Sequence, residues 1–173
     1  QEQLLRLFLT SKYVDIRRRG YKILQASWLP DYESIIQENW NSYQEPECAR
    51  LLIDNANIEY LVNHLDELRE VVVGSFSLAR LYIKVGADNP ALLEQLAVVD
   101  EIAFAYALVK LQRPLTLERA FEIYERNKYD HRLSLLIWCF GQMGLWNVLE
   151  VVQTELDEIL ATRYLYNKPT VTS

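Results

Sequence analysis

The sequence is short of everything that builds turn-rich or cross-linked folds. Five glycines and five prolines in 173 residues are too few to punctuate the short strands of a sandwich or barrel. No apolar–polar alternation of period two persists along the chain, so nothing predicts a strand. Two cysteines, Cys48 and Cys139, do not make a disulfide scaffold. No Cys/His cluster has zinc spacing, no glycine-rich stretch forms a phosphate-cradling loop, and no local motif assembles a Ser/His/Asp triad. These absences predict a non-catalytic protein with no metal and no cofactor. No apolar run approaches the roughly 18 residues that a spanning helix needs. The 24 acidic residues outnumber the 18 Lys and Arg, for a net charge of −6. That balance disfavours nucleic acid or an anionic membrane as the dominant partner.

The first residues lack the basic-then-apolar layout of a signal peptide. They carry no Met and start inside a helical pattern, Leu4, Leu5 and Phe8, as a piece cut from a longer chain would. In a stacked array the two cysteines lie three repeats apart, on the order of 30 Å, beyond the roughly 7 Å that a disulfide spans. Two free, buried thiols are therefore expected, which suits a cytoplasmic protein.

What is present is helical periodicity. Residues 2–10 read as a capping helix and 12–26 as the next, with Ile16, Gly20, Ile23, Leu24 and Ser27 on one stripe. Pro30, Pro46 and Pro90 suit first-turn positions. Helices are expected over 30–43, 45–56, 57–72, 76–85, from Pro90, 101–111, 117–127, 131–142 and 145–166. Ser75, Asp100, Thr116 and Asp130 stand where caps belong, and Gly86 and Gly144 where helices stop. The last helix carries an apolar face of Val148, Leu149, Val152, Leu156, Ile159 and Leu160, and the polar tail 167–173 is expected to fray. The four tryptophans, Trp28, Trp40, Trp138 and Trp146, read as core or edge packing.

The stretch from Glu45 to Val99 says the same thing twice. Cys48 to Ile53 and then Ile58 to Val62 are matched by Leu78 to Ile83 and then Pro90 to Leu96. Small residues recur on the first helix of each pair: Gly20, Ala49, Ala79, Ala105 and Ser134, at spacings of 29, 30, 26 and 29. A repeat of this length made of two helices predicts an all-α, right-handed α-solenoid of about five antiparallel helix pairs, forming a single helical-repeat domain over 1–173.

The segment Val14-Asp-Ile-Arg-Arg-Arg-Gly-Tyr-Lys-Ile-Leu24 resembles the first-helix signature of the HEAT and armadillo-like repeat family, an Asp and an Arg followed by a small residue and Leu. Tetratricopeptide repeats fit worse, since their period of roughly 34 residues is absent. The resemblance implies first helices on a convex face and second helices on a concave one. HEAT-like proteins mostly bind other proteins; a minority bind nucleic acid, and one branch excises alkylated bases.

Charge separates the two helix sets. The second helices, 30–43, 58–72, 89–100, 115–128 and 145–166, carry a net −11. The first helices, 12–26, 45–56, 75–86, 101–112 and 131–144, carry +5. The expected function is a protein–protein interaction scaffold whose acidic second-helix face holds a basic peptide or protein through Glu59, Asn63, Asp66, Glu67, Glu70, Glu94, Glu118 and Glu122. A secondary basic patch, Lys12, Arg17, Arg18, Arg19 and Lys22, with an Asp15–Arg19 pair at i, i+4, could dock an acidic partner. The alternative is a nucleic-acid-binding or base-excision HEAT-like protein. It is disfavoured because only Arg69, Arg119, Arg126, Lys128 and Arg163 stand on the second helices against sixteen acidic residues.

Overall fold

The computed structural model describes residues 2–166, with side chains from 3 to 163; the predicted tail 167–173 lies outside them. The described residues are all-helical, with no strand. In chain order they form α1 (Glu2–Leu9), α2 (Val14–Ala26), a 3₁₀ turn (Pro30–Tyr32), α3 (Glu33–Tyr43), α4 (Pro46–Asn55), α5 (Ile58–Asn63), α6 (Leu65–Val71), α7 (Ser75–Gly86), α8 (Pro90–Val99), α9 (Glu101–Lys110), α10 (Leu117–Asn127), α11 (Leu133–Gln142) and α12 (Trp146–Tyr166).

Local chemistry explains most of these boundaries. Asp100 accepts from the N–H groups of Ile102 and Ala103, and Thr116 from that of Arg119, so both cap as expected. Asn57 caps α5 through the Tyr60 N–H at 2.8 Å. Two expected signals act differently. Gly74, at φ 90°, is the residue before α7, and Ser75 is its first helical residue. Asp130 accepts from the Arg132 N–H instead of capping α11, which begins at Leu133. Gly86 is the last residue of α7, at the expected stop; an added Cβ there would stand 2.7 Å from Leu93 Cγ, so it also permits the close approach of α8.

The predicted helix 57–72 breaks at His64, whose φ of −114° and ψ of 15° leave the helical region. The imidazole Nδ1 lies 2.9 Å from the Tyr60 carbonyl oxygen and its ring stacks on Tyr60 at 4.1 Å. A side chain that hydrogen-bonds the backbone one turn back competes with the helical ladder. The break does not disturb the apolar stripe, since Leu61, Leu65 and Leu68 are all buried.

Among the described residues, those up to Val98 form one compact unit and those from Val99 to Tyr166 a second. In the first, α1 packs on α2 and α3, and α4 touches α2, α3, α6 and α7. Gly20 meets Leu9, whose Cδ2 would lie 2.7 Å from an added Cβ. Ala49 and Ala79 are buried in the same unit. Trp40, Tyr21, Tyr82 and Leu52 are fully buried in this unit.

A buried polar knot ties α2 to the start of α4. Arg17 is 4% exposed and Glu45 8%. The guanidinium donates through Nε and Nη2 to the two Glu45 carboxylate oxygens at 3.1 and 2.7 Å, and through Nη1 to the Ser11 carbonyl at 2.8 Å. The Tyr21 hydroxyl donates to Glu45 Oε2 at 2.7 Å, and the Tyr43 ring covers the guanidinium at 3.5 Å. Glu45 is also the residue before α4, yet its side chain does not cap that helix, because both oxygens are engaged by α2. Nearby, Asn39 donates to the Leu9 carbonyl and the Cys48 thiol to that of Ile36.

In the second unit α9 packs on α11, and α10 and α11 both pack on α12. Ala103, Ala105 and Ala107 are fully buried on α9. Ser134, expected among the small contact residues, is exposed. Two carboxylates at the α9 N-terminus are held by arginines, Asp100 by Arg132 and Glu101 by Arg126, both at 2.6 Å. The acidic ends suit the helix dipole. On α12 only the first part of the predicted face is covered: Val148 and Val152 are buried, whereas Leu156, Ile159 and Leu160 are 44%, 52% and 60% exposed. Trp40 is core, as read, whereas Trp146 is exposed and Trp138 leans on Tyr106 at 6.1 Å while staying partly exposed.

α9 and α11 end in the same motif. After α11, Gly144 at φ 70° donates to the Gly141 carbonyl and Leu145 to that of Phe140. After α9, the same left-handed position is held by Gln112 at φ 53°, with Gln112 donating to Val109 and Arg113 to Leu108.

Two predictions follow from this geometry. A side chain in the left-handed region is strained by about 1 kcal/mol, so Gln112→Gly raises unfolding stability by about that amount in urea denaturation, and Gly144→Ala lowers it similarly. The second concerns acid. Burial pushes the Glu45 carboxyl up, but the hydrogen bonds from Arg17 and Tyr21 and the Arg17 charge outweigh it and hold the group below its ordinary 4.5. A depressed carboxyl contributes stability that is complete above the unfolded value and lost as pH falls through the folded one. Urea midpoints measured between about pH 6 and pH 3 should fall, and fall less in Tyr21→Phe, which removes one donor to the carboxylate. An equal loss in both proteins contradicts this assignment.

Candidate functional site

The acidic face of the first unit is built on α5 and α6. The Asn57 cap starts α5 and exposes Glu59 and Asn63; the turn at His64 restarts the helix and exposes Asp66, Glu67 and Glu70. Glu59 and Asn63 stand four positions apart on α5, and Asp66, Glu67 and Glu70 three to four apart on α6, so each set shares a side of its own helix. Ile58 and Val62, 53% and 42% exposed, stand on α5 beside them and supply apolar surface.

The field on this face acts on Tyr60. Its hydroxyl is buried without a hydrogen-bond partner. Burial first, and then smaller electrostatic contributions from Cys48, Glu67 and Glu33, push the phenol up to about 12. Carboxylates from α3 and α6 thus act on the same point. One cation answers them: Arg69 pairs with Asp66 at 3.2 Å and donates to the Tyr82 hydroxyl at 3.4 Å. Glu59, Glu67 and Glu70 make no ion pair among the described residues.

The other expected contact residues are distributed differently. Glu94 is exposed on α8 of the same unit. Glu118 and Glu122 are exposed on α10 of the second unit, where Glu122 has a cation close by. Glu122 faces Arg126 at 3.9 Å, and Lys128 pairs with Glu125 at 2.8 Å. The basic patch is not one patch. Arg17 is withdrawn into the knot with Glu45, because a buried carboxylate gives the guanidinium a partner that water would otherwise supply. Arg18, not Arg19, pairs with Asp15, at 3.8 Å, and it also binds Glu47 at 2.9 Å. Lys12 lies over the Tyr13 ring at 5.1 Å. Arg19 and Lys22 are exposed.

A feature not read from the sequence lies on the first helices. A cleft of about 320 Å³ opens beside α4 and α7, lined in part by Glu47, Arg50, Asp54, Val73 and Arg80. Its signal was available as the charged stripe Glu47, Arg50, Asp54 at helical spacing, matched on α7 by Ser77, Arg80 and Lys84.

Cys48 and Cys139 are both free and buried, and burial pushes each thiol up to about 12, which makes them poor nucleophiles. Among the described residues no group of three or more His, Cys, Asp or Glu could hold a metal ion, and no helix is long and apolar enough to cross a membrane. Comparison of the chain with protein-family models, with curated proteins and with solved structures finds no match.

Proposed function

We propose that the chain is a non-catalytic interaction module of the HEAT-like, right-handed solenoid type that holds a basic peptide or protein on the α5–α6 face. The observation that carries this reading is the contrast in how carboxylates are used. On the first helices Glu45, Glu47, Asp54 and Glu101 all face an Arg within 2.9 Å. On α5 and α6, Glu59, Glu67 and Glu70 are exposed and make no ion pair among the described residues, with Arg69 as the one nearby cation. Like charges held together without partners raise the free energy of the unbound surface and attract a cationic ligand. Such complementarity sets orientation and on-rate more than affinity, while Ile58 and Val62 supply contact area. The burial of Arg17 and the pairing of Arg18 weaken the nucleic-acid alternative, since each neutralised phosphate needs an available cation. The two buried thiols suit a reducing compartment such as the cytoplasm.

Fluorescence anisotropy with a labelled peptide alternating Lys and Leu tests the reading. Binding is expected to weaken between about 0.01 M and 0.15 M salt as screening shortens. The variant Asp66→Lys/Glu67→Lys/Glu70→Lys should lose about tenfold or more in affinity, whereas reversing Glu118 and Glu122 should change it little. Equal binding by the α6 variant and the native protein would remove the proposal.

A further inference from the structure

We propose that the first-helix surface of the N-terminal unit, at the cleft beside α4 and α7, is a second docking site whose occupant is an acidic peptide segment carrying an apolar residue. This surface is separate from the α5–α6 face and opposite to it in charge.

Three helices contribute aligned stripes. α2 presents Arg18, Lys22 and Gln25; α4 presents Glu47, Arg50 and Asp54; α7 presents Ser77, Arg80 and Lys84. Each set repeats every three to four positions and so falls on one face of its helix. α4 packs against both α2 and α7, and Gln25 of α2 lines the same cleft as Arg50 and Arg80.

The stripes hold five cations, Arg18, Lys22, Arg50, Arg80 and Lys84, against two carboxylates, Glu47 and Asp54. Both carboxylates are already engaged. Arg18 Nε reaches Glu47 Oε1 at 2.9 Å, Arg80 Nη2 reaches Asp54 Oδ1 at 2.7 Å, and Lys84 donates to the Asp54 carbonyl at 2.6 Å. Arg50, between the two carboxylates on α4, is exposed and makes no ion pair among the described residues. The excess of positive charge is centred on a guanidinium whose planar fork suits a carboxylate.

Two further observations say what kind of anion fits. Glu47 Oε2 is buried without a hydrogen-bond partner, although the other oxygen of the same carboxylate is bonded. A desolvated oxygen left unpaired is unfavourable, so an occupant whose N–H draws the part-exposed Glu47 carboxylate into the cleft gains where a bare anion does not. Val73 is 81% exposed at the mouth of the cleft, and Val72 and Ile53 continue the apolar lining. The ligand must therefore offer an acid to Arg50, a donor to Glu47 and an apolar side chain to Val73. An extended peptide supplies all three, since its backbone N–H groups alternate with side chains. Phosphate polymers have no donor for Glu47 and no apolar group for Val73.

The test uses the whole chain and a labelled peptide alternating Glu with Leu, measured by anisotropy, with a poly-Glu peptide and sodium tripolyphosphate as competitors. Arg50→Glu and Val73→Asp change exposed residues, so circular dichroism should leave the helical spectrum unaltered. Each is expected to weaken the Glu–Leu peptide by about tenfold or more. The α6 triple reversal should leave that binding unchanged, so this proposal and the basic-peptide proposal can fail separately. Poly-Glu and tripolyphosphate should compete only weakly. Unchanged affinity in Arg50→Glu, competition by tripolyphosphate as strong as by the peptide itself, or sedimentation showing that the same variants abolish self-association instead would each overturn it.

Discussion

The Arg17–Glu45 pair is the contact on which the first unit depends. It joins residues 28 positions apart, the second turn of α2 to the residue that precedes α4, and it does so with little access to water. Two charges removed from water are tolerated only when every remaining donor and acceptor is met. Here Ser11, Tyr21 and the Tyr43 ring complete the set. Because α4 also touches α3, α6 and α7, the point at which it starts bears on all three of those helices. The α5–α6 face and the cleft beside α7 are both carried on this frame.

Ion pairing then sorts the surface. Carboxylates on the first helices are consumed by arginines on neighbouring helices, which leaves Lys12, Arg19, Lys22, Arg50 and Lys110 exposed without an ion pair among the described residues. On α5 and α6 the single Arg69 meets Asp66, and the remaining carboxylates stay available. Formal charge totals already separate the two helix sets, but pairing sharpens the difference by deciding which charges remain to act on a partner.

Much of the helical plan was legible because its signals are local. Prolines at 46 and 90, caps at Asp100 and Thr116, and the small residues Gly20, Ala49, Ala79 and Ala105 each act within a turn or at one helix contact. What the sequence hid is non-local. Glu45 reads as an exposed residue before a proline, and nothing nearby reveals that Arg17 will meet it. That one pairing removes a member from the predicted basic patch. The break at His64 depends on an imidazole choosing the Tyr60 carbonyl, which the apolar spacing of Leu61, Leu65 and Leu68 does not register. On α12 periodicity marked Leu156, Ile159 and Leu160 as one apolar face, but periodicity does not say whether a neighbouring helix extends far enough to cover it. The acidic face itself was readable, because exposed helical residues three and four apart need no tertiary knowledge to be placed together.

The dependence of the first unit on the buried pair is tested most directly by a double-mutant cycle in urea with Arg17→Met, Glu45→Gln and the combination. Each single change strands a buried partner and is expected to lower stability by about 3–5 kcal/mol. The double variant should lose less than the sum by about 2 kcal/mol or more. Additive losses, or single losses of less than about 1 kcal/mol, would show that the pair is an incidental contact and that α2 and α4 are held together by apolar packing alone.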